Sequence, residues 1–248
     1  MRVALGEYDT GWHDPAGSLE RAAGVVARAA DAGARLVALP EMAATGFTMD
    51  ELQADAWDGP HLERLARAAR EHAVWVIAGL ALREGASAVN AAVVLDPRGE
   101  VAAAYRKQRL FAYAGEHVVY EAGAAPVTLD VEGVRVSPFV CYDLRFPELF
   151  REVAAQTDLY VLIANWPAAR RAHWDVLVRA RAIENLAYMV AVNRTGTGGG
   201  LTYDGGSAAY GPWGDPLPES GPRIVSVDAG EVARVRERYP FLADRVAR

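Results

Sequence analysis

Short apolar runs recur along this chain, and amphipathic stretches separate them. Runs too short for a helix, bounded by charge or turn residues, read as buried strands. Six fit that description: residues 2–7, 35–40 (RLVALP), 73–82 (AVWVIAGLAL), 134–140 (VRVSPFV), 158–165 (DLYVLIAN) and 188–193. Helical periodicity fills the gaps. Leu19, Ala22, Ala23, Val26 and Ala30 share one face of a helix over 18–32, with Ser18 predicted as N-cap and Gly33 at the C-terminal end. Further helices are predicted over 60–72, 147–154 (with Pro147 in its first turn), 173–187 and 229–237. The runs 88–95 and 100–106 flank Asp96-Pro97-Arg98-Gly99, which has the turn chemistry of a hairpin. Residues 205–210 and 222–228 are less regular strand candidates, and Gly196–Gly200 (GTGGG) reads as a loop. Strands alternating with helices predict an α/β layered fold. With no linker or repeat in view, one domain spanning 1–248 is expected.

Bulk properties narrow the function. The chain holds 26 basic and 32 acidic residues, a formal charge of −6, which offers no long-range attraction to nucleic acid or an anionic membrane. One cysteine excludes an internal disulfide and any four-cysteine metal site. The five histidines show no HxH, HExxH or HxxxH spacing, so neither a metal nor another cofactor is expected. No apolar stretch is long enough to span a bilayer, and the first residues lack the apolar core of a signal peptide. A cytoplasmic setting is expected.

Three reactive side chains stand just beyond predicted strands. Cys141 follows VRVSPFV, Glu41 follows RLVALP, and Lys107 follows the hairpin strand AAAYR. Strand ends are where sites gather in α/β folds. Cys141 precedes a polar turn and a helix, the setting of a nucleophile elbow, where backbone N–H groups and a helix dipole would favour a thiolate. Taken singly, each residue has a plain structural reading: a buried thiol, a loop carboxylate and a solvated lysine. Taken together, an acid, a thiol and an amine supply a base, a nucleophile and a charge stabiliser.

The segments GARLVALPEMAATGF, YRKQRLFAYAGEHVVYEAG and FVCYDLRFPELFR resemble the three motif regions of the nitrilase, or carbon–nitrogen hydrolase, superfamily. The resemblance extends through NWPAARRAHWDVLVRARAIENLAYMVAVNRTG to the closing YPFL. It implies a four-layer αββα sandwich with Glu41 as general base, Lys107 as catalytic lysine, Cys141 as nucleophile and Glu116 as the second glutamate beside the lysine. It places the Tyr142 N–H as an oxyanion donor. Asp143 and Arg145 fall in a CYDxRF signature, read here as an ion pair that supports the elbow, with substrate contact by Arg145 as the other reading. Trp166, Tyr113 and Phe47 are expected either to wall the pocket or to pack in the core. The AGEHVVYEAG and NWPAARRAHW blocks are most similar to the bacterial omega-amidase branch, which implies a small 2-oxo acid amide as substrate. Gln108-Arg109 and the closing LADRVAR depart from that branch. The helix over 173–187 implies a homodimer.

Other readings stay open. A nitrile, an N-carbamoyl amine or a deaminated-glutathione amide would use the same three residues. A non-catalytic interaction module would not need all three. Arg145, Arg170, Arg171 and Arg194 are all candidates to anchor a substrate carboxylate.

Overall fold

The structure, a computed structural model, describes residues 1–245. Its first sheet has six strands: β1 (Arg2–Leu5), β2 (Leu36–Ala38), β3 (Trp75–Glu84), β4 (Ser87–Leu95), β5 (Val101–Arg106) and, from the far end of the chain, β13 (Ile224–Ser226). They lie in the order β13-β1-β2-β3-β4-β5. A second sheet, built from β6 (Leu129–Val131), β7 (Val134–Val140), β8 (Leu159–Ala164), β9 (Tyr188–Asn193) and β12 (Ala208–Tyr210), runs β12-β9-β8-β7-β6. β1, β2 and β3 are parallel, as are β7, β8 and β9; the remaining pairs are antiparallel.

The strands are apolar on both faces because both faces are covered. Val3, Leu5, Leu36, Ala38 and Ile77 join the core cluster shared with the second sheet. Their neighbours in sequence, Ala4, Val37, Val76 and Ala78, point the other way. They meet α1 (Pro15–Asp31) and α2 (Pro60–His72), which supply Leu19, Ala22, Val26, Leu62 and Leu65. On the far side, Trp174, Val178 and Ala182 of α5 (Arg171–Asn185) close over the second sheet. The result is the four-layer αββα sandwich. Each fully buried Leu, Ile or Val contributes about 1.5–3 kcal/mol relative to exposure, so the layers are held chiefly by this two-sided burial.

Most boundaries fall within a few residues of the sequence reading, with three differences. α1 begins earlier: Asp14, not Ser18, caps it, accepting from the Gly17 N–H at 3.0 Å, with Pro15 in the first turn. Ser18 is buried inside the helix and donates its hydroxyl to the Thr10 carbonyl. The GTGGG segment is a hairpin rather than a loop: β10 (Thr195–Gly198) pairs with β11 (Leu201–Asp204), and Gly199 and Gly200 turn between them at φ 56° and 76°. Periodicity could not show this, because glycine strands carry no alternating side chains. Third, a single-turn helix, α3 (Glu116–Val119), and the short strand β6 follow β5 where no element was expected. Two other helices, α4 (Pro147–Glu152) and α6 (Ala229–Arg238), lie where predicted. Of the closing LADRVAR segment, residues 246–248 lie outside the described residues.

Candidate active site

The ends of β2, β5 and β7 converge. Immediately after β2, Leu39 and Pro40 lead into Glu41, and Met42 turns the chain at φ 42°. This turn lies against Gly79 of β3, where an added Cβ would stand 2.4 Å from the Glu41 Cα. Only glycine permits that approach. Lys107 follows β5 and donates its backbone N–H to the Asn90 carbonyl at 2.9 Å. Cys141 follows β7 at φ 46°, a left-handed conformation that costs a non-glycine residue about 1–2 kcal/mol. It heads a 3-10 turn, Cys141–Arg145, and not an α-helix; α4 starts six residues later. The helix-dipole argument for a thiolate therefore does not apply. The first N–H groups of the turn, that of Tyr142 included, have no acceptor within it and remain available to a ligand.

Glu41, Lys107 and Glu116 are fully buried and bonded to one another. The Lys107 ammonium lies 2.9 Å from Glu41 Oε1 and 2.9 Å from both Glu116 oxygens. Asn90 Nδ2 bridges the two carboxylates, donating to Glu41 Oε1 and Glu116 Oε1 at 2.8 Å each. The Asn165 N–H, just beyond β8, donates to Glu41 Oε2 at 2.9 Å, and the Phe111 N–H donates to Glu116 Oε2 at 2.6 Å. The Asn165 carbonyl lies 3.9 Å from Cys141 Sγ. Neither asparagine was singled out from sequence. The available signal was an amide side chain inside or at the end of an apolar run, which must find partners when buried.

These contacts set the charges. Burial alone would push the Glu41 carboxyl up, but the Lys107 ammonium and the bonds from Lys107, Asn90 and Asn165 outweigh it and hold it below the usual carboxylate range. Burial opposes the Lys107 charge, yet Glu116 and Glu41 raise its pKa and keep it an ammonium. Burial pushes the Cys141 thiol up, and the Glu41 charge adds to that, so the resting pair is thiol and carboxylate. Such a thiol needs a base at the moment of attack, and the neighbouring carboxylate is ionised to serve as one.

Asp143 and Arg145 do not form the expected ion pair. Asp143 is fully buried, which pushes its carboxyl up to about 6. It accepts from the Val140 N–H (3.0 Å), the Arg109 N–H (2.9 Å) and the Tyr105 hydroxyl (2.9 Å), pinning the elbow to the loop after Lys107. Arg145 points away and lies 4.9 Å over the Trp166 ring, with Nη2 3.0 Å from His173 Nδ1.

Cys141 opens into a cavity of about 440 Å³, within the usual range for a small-molecule site. Phe47, Tyr113, Tyr142 and Trp166 contribute apolar wall, and Arg145 and Arg170 contribute charge. Trp166 also belongs to the core, tilted against Trp174 at 5.7 Å between ring centroids, so both expectations for it hold. Tyr113 is 91% exposed at the mouth. Of the four arginines considered, Arg194 is buried against Asp9, and Arg171 pairs with Asp175 and Asp204. Arg145 and Arg170 have no carboxylate partner among the described residues. Trp12 closes one rim by packing over Gly198 and Gly199, where added Cβ atoms would meet its ring at 3.1 and 3.0 Å. Among the described residues, no three His, Cys, Asp or Glu side chains gather as a metal ion would require.

An αββα sandwich with Glu, Lys and Cys at converging strand ends defines a class, and comparison with known proteins agrees. The carbon–nitrogen hydrolase model matches residues 2–236, and the chain belongs to that family. It is 32% identical to the 2-oxoglutaramate amidase of Bacillus subtilis (strain 168), over 96% of this chain and 95% of that protein. It is 36% identical to the omega-amidase YafV of Escherichia coli (strain K12), over 86% and 84% of the two chains. Among solved structures, XC1258 from Xanthomonas campestris, a CN-hydrolase superfamily protein with an arsenic adduct in its active site, superposes with a TM-score of 0.91. It is 34% identical, with 100% of this chain and 98% of that one covered. A mutant of the Nesterenkonia sp. AN1 amidase, with acrylamide added at its active-site cysteine, gives a TM-score of 0.85 at 29% identity, covering 96% and 99%.

Proposed function

We propose that this protein is an omega-amidase. It hydrolyses the terminal amide of a small 2-oxo acid, 2-oxoglutaramate or 2-oxosuccinamate, to the dicarboxylate and ammonia. The observation that carries this reading is the pairing, in one cavity, of a base-linked thiol with arginines that lack a carboxylate partner. Such a cavity suits a ligand with an amide at one end and a carboxylate at the other.

The chemistry runs in two halves. Glu41 takes the Cys141 proton as sulfur attacks the amide carbon, and the carbonyl electrons move onto oxygen. Lys107 has three N–H donors; two serve Glu41 and Glu116, and the third, with the Tyr142 N–H, receives the oxyanion. The intermediate collapses, the C–N bond breaks, and ammonia leaves with the proton from Glu41. Water then attacks the thioester, giving its proton to Glu41; the C–S bond breaks and the thiol is restored. Arg145 anchors the far carboxylate, and Phe47, Tyr113 and Trp166 flank the chain between. No metal or other cofactor takes part.

An ammonia-release panel tests this reading. It compares 2-oxoglutaramate and 2-oxosuccinamate with a nitrile, an N-carbamoyl amine and a deaminated-glutathione amide, each with hydroxylamine added. Hydroxamate from the 2-oxo acid amides is expected, since an acyl-enzyme is open to a second nucleophile. Turnover confined to another class would replace the substrate assignment.

We read residues 1–248 as one domain acting as a homodimer in the cytoplasm, with no nucleic-acid or membrane partner. No helix among the described residues is long and apolar enough to cross a membrane. Val176 and Ile183 of α5 are exposed, and Ile183 borders Gly214 beside the exposed Trp213. An apolar patch of this kind favours burial against a second copy. Sedimentation at about twice the 26.7 kDa chain mass is expected.

A further inference from the structure

Two carboxylates flank one ammonium at the base of the cavity, and all three are buried. Ionised, Glu41, Glu116 and Lys107 carry one unbalanced negative charge. Uncompensated buried charge is costly, and the usual relief is a proton on one of the acids. A proton on Glu41 would remove the base.

Asn90 stands where that charge accumulates. It lies in the middle of β4, opposite Ala81 of β3, with apolar residues on either side of it. Its Nδ2 is 2.8 Å from an oxygen of each carboxylate, so its two N–H groups go one to each acid. Its backbone carbonyl accepts from the Lys107 backbone N–H, so the residue that touches both carboxylates also fixes the chain at the lysine. The orientation of the amide is forced. Turned over, Asn90 Oδ1 would face two carboxylate oxygens at the same distance. As it stands, Oδ1 is buried without a partner, a penalty the side chain bears in order to donate twice.

We propose that Asn90 is a positioning residue: its amide stabilises both carboxylates as anions without adding charge, and so keeps Glu41 deprotonated and aimed at Cys141. This rests on the reading of Glu41 as base. The other groups around the cluster do not replace it. The Asn165 N–H serves only Glu41, and the Phe111 N–H only Glu116. Tyr120 gives its hydroxyl to the Thr48 carbonyl, and Asp143 is taken up by the elbow. The Cys141 thiol, which faces Glu41, is the proton donor in the reaction itself.

The test is the pH profile of kcat/KM for Asn90→Asp, which keeps the volume and removes the double donor. The acid limb is expected to rise by about one pH unit or more, the scale on which an adjacent like charge acts. kcat should fall about 10–100-fold, part of the span ascribed to a positioned base, with KM within about twofold of wild type, since Asn90 does not line the cavity. The rate of Cys141 alkylation by iodoacetamide should show the same shifted limb without reference to any substrate. Adding Glu116→Gln to Asn90→Asp restores the cluster charge and should move the limb back. If Asn90→Asp fails to fold, repair by Glu116→Gln supports the proposal, and failure to repair counts against it. Unshifted limbs in Asn90→Asp and Asn90→Ala, with losses tracking Tm alone, overturn it. Glu41→Gln, measured in parallel, separates the two claims: wild-type turnover there would remove Glu41 as base, whereas a dead Glu41→Gln with an unshifted Asn90→Asp removes only the role of Asn90.

Discussion

The carboxylates at the floor of the cavity are saturated with hydrogen bonds, whereas the rim is held by stacking and left open to new partners. At the floor, Glu41, Lys107, Glu116 and Asn90 are buried, and every carboxylate oxygen has a donor within 2.9 Å. At the rim, Arg145 and Arg170 are half-buried, and each lies over a ring, Trp166 and Phe111, at 4.9 and 5.2 Å. Tyr113 is exposed beside them. Saturation fixes geometry, as bond-making chemistry requires. Loosely held cations on aromatic faces can exchange a weak contact for a charged hydrogen bond when a substrate arrives. On the proposed reading, the floor governs kcat and the rim governs which amide is taken.

That division can be broken first at the floor. Cys141→Ala should reduce turnover roughly 10⁴-fold or more, since removal of a nucleophile leaves only binding and oxyanion stabilisation. The Tm should barely move, because the elbow is held by Asp143 rather than by the thiol. Residual activity near wild type would end the assignment. Glu41→Gln should reduce kcat by about 10²–10⁴-fold, the usual range for a positioned base. The amide can still accept from Lys107, so circular dichroism should show the native fold. At the rim, Arg145→Met should lower kcat/KM for a 2-oxo acid amide about 10–100-fold, as expected for one charged hydrogen bond. It should leave a neutral amide unaffected.

The smallest effect expected is a flat line. The Glu41 pKa is depressed, so the carboxylate proposed as base persists below the ordinary value of about 4.3. The Lys107 pKa is raised, so the ammonium persists above its ordinary value. Protonating Glu41 or deprotonating Lys107 would each lower the rate, and both events are pushed outward. kcat/KM should therefore stay level from about pH 7 to 9; below pH 7 the buried Asp143 carboxyl, pushed up to about 6, begins to take up a proton and loosens the elbow. A fall already under way above pH 7 would show that the floor does not hold Glu41 ionised.

The contrast also separates what sequence could and could not show. Glu41, Lys107 and Cys141 each stand directly after an apolar run, so their place at strand ends was legible. Layering was legible because each run is apolar on both faces. The partners of those residues were not. Asn90 sits inside SAVNAAVVL, where its neighbours predict only a buried strand. Asp143 looked like the partner of Arg145 two residues on, but burial commits it to Val140, Arg109 and Tyr105. Arg145 instead reaches His173, 28 residues away. The β10–β11 hairpin is read only from what packs on it, because its glycines make room for Trp12 and Arg194. Local periodicity reports which face is buried; it does not report which groups meet across layers.

The most direct test of the account is the ratio of kcat/KM for 2-oxoglutaramate to that for a neutral amide of the same length, measured on the wild-type enzyme. If the floor supplies the chemistry and the rim selects a carboxylate, the anionic amide should be favoured about 10–100-fold, the value of one charged contact realised in the transition state. Equal kcat/KM for the two amides would contradict the rim's role and remove the case for an omega-amidase.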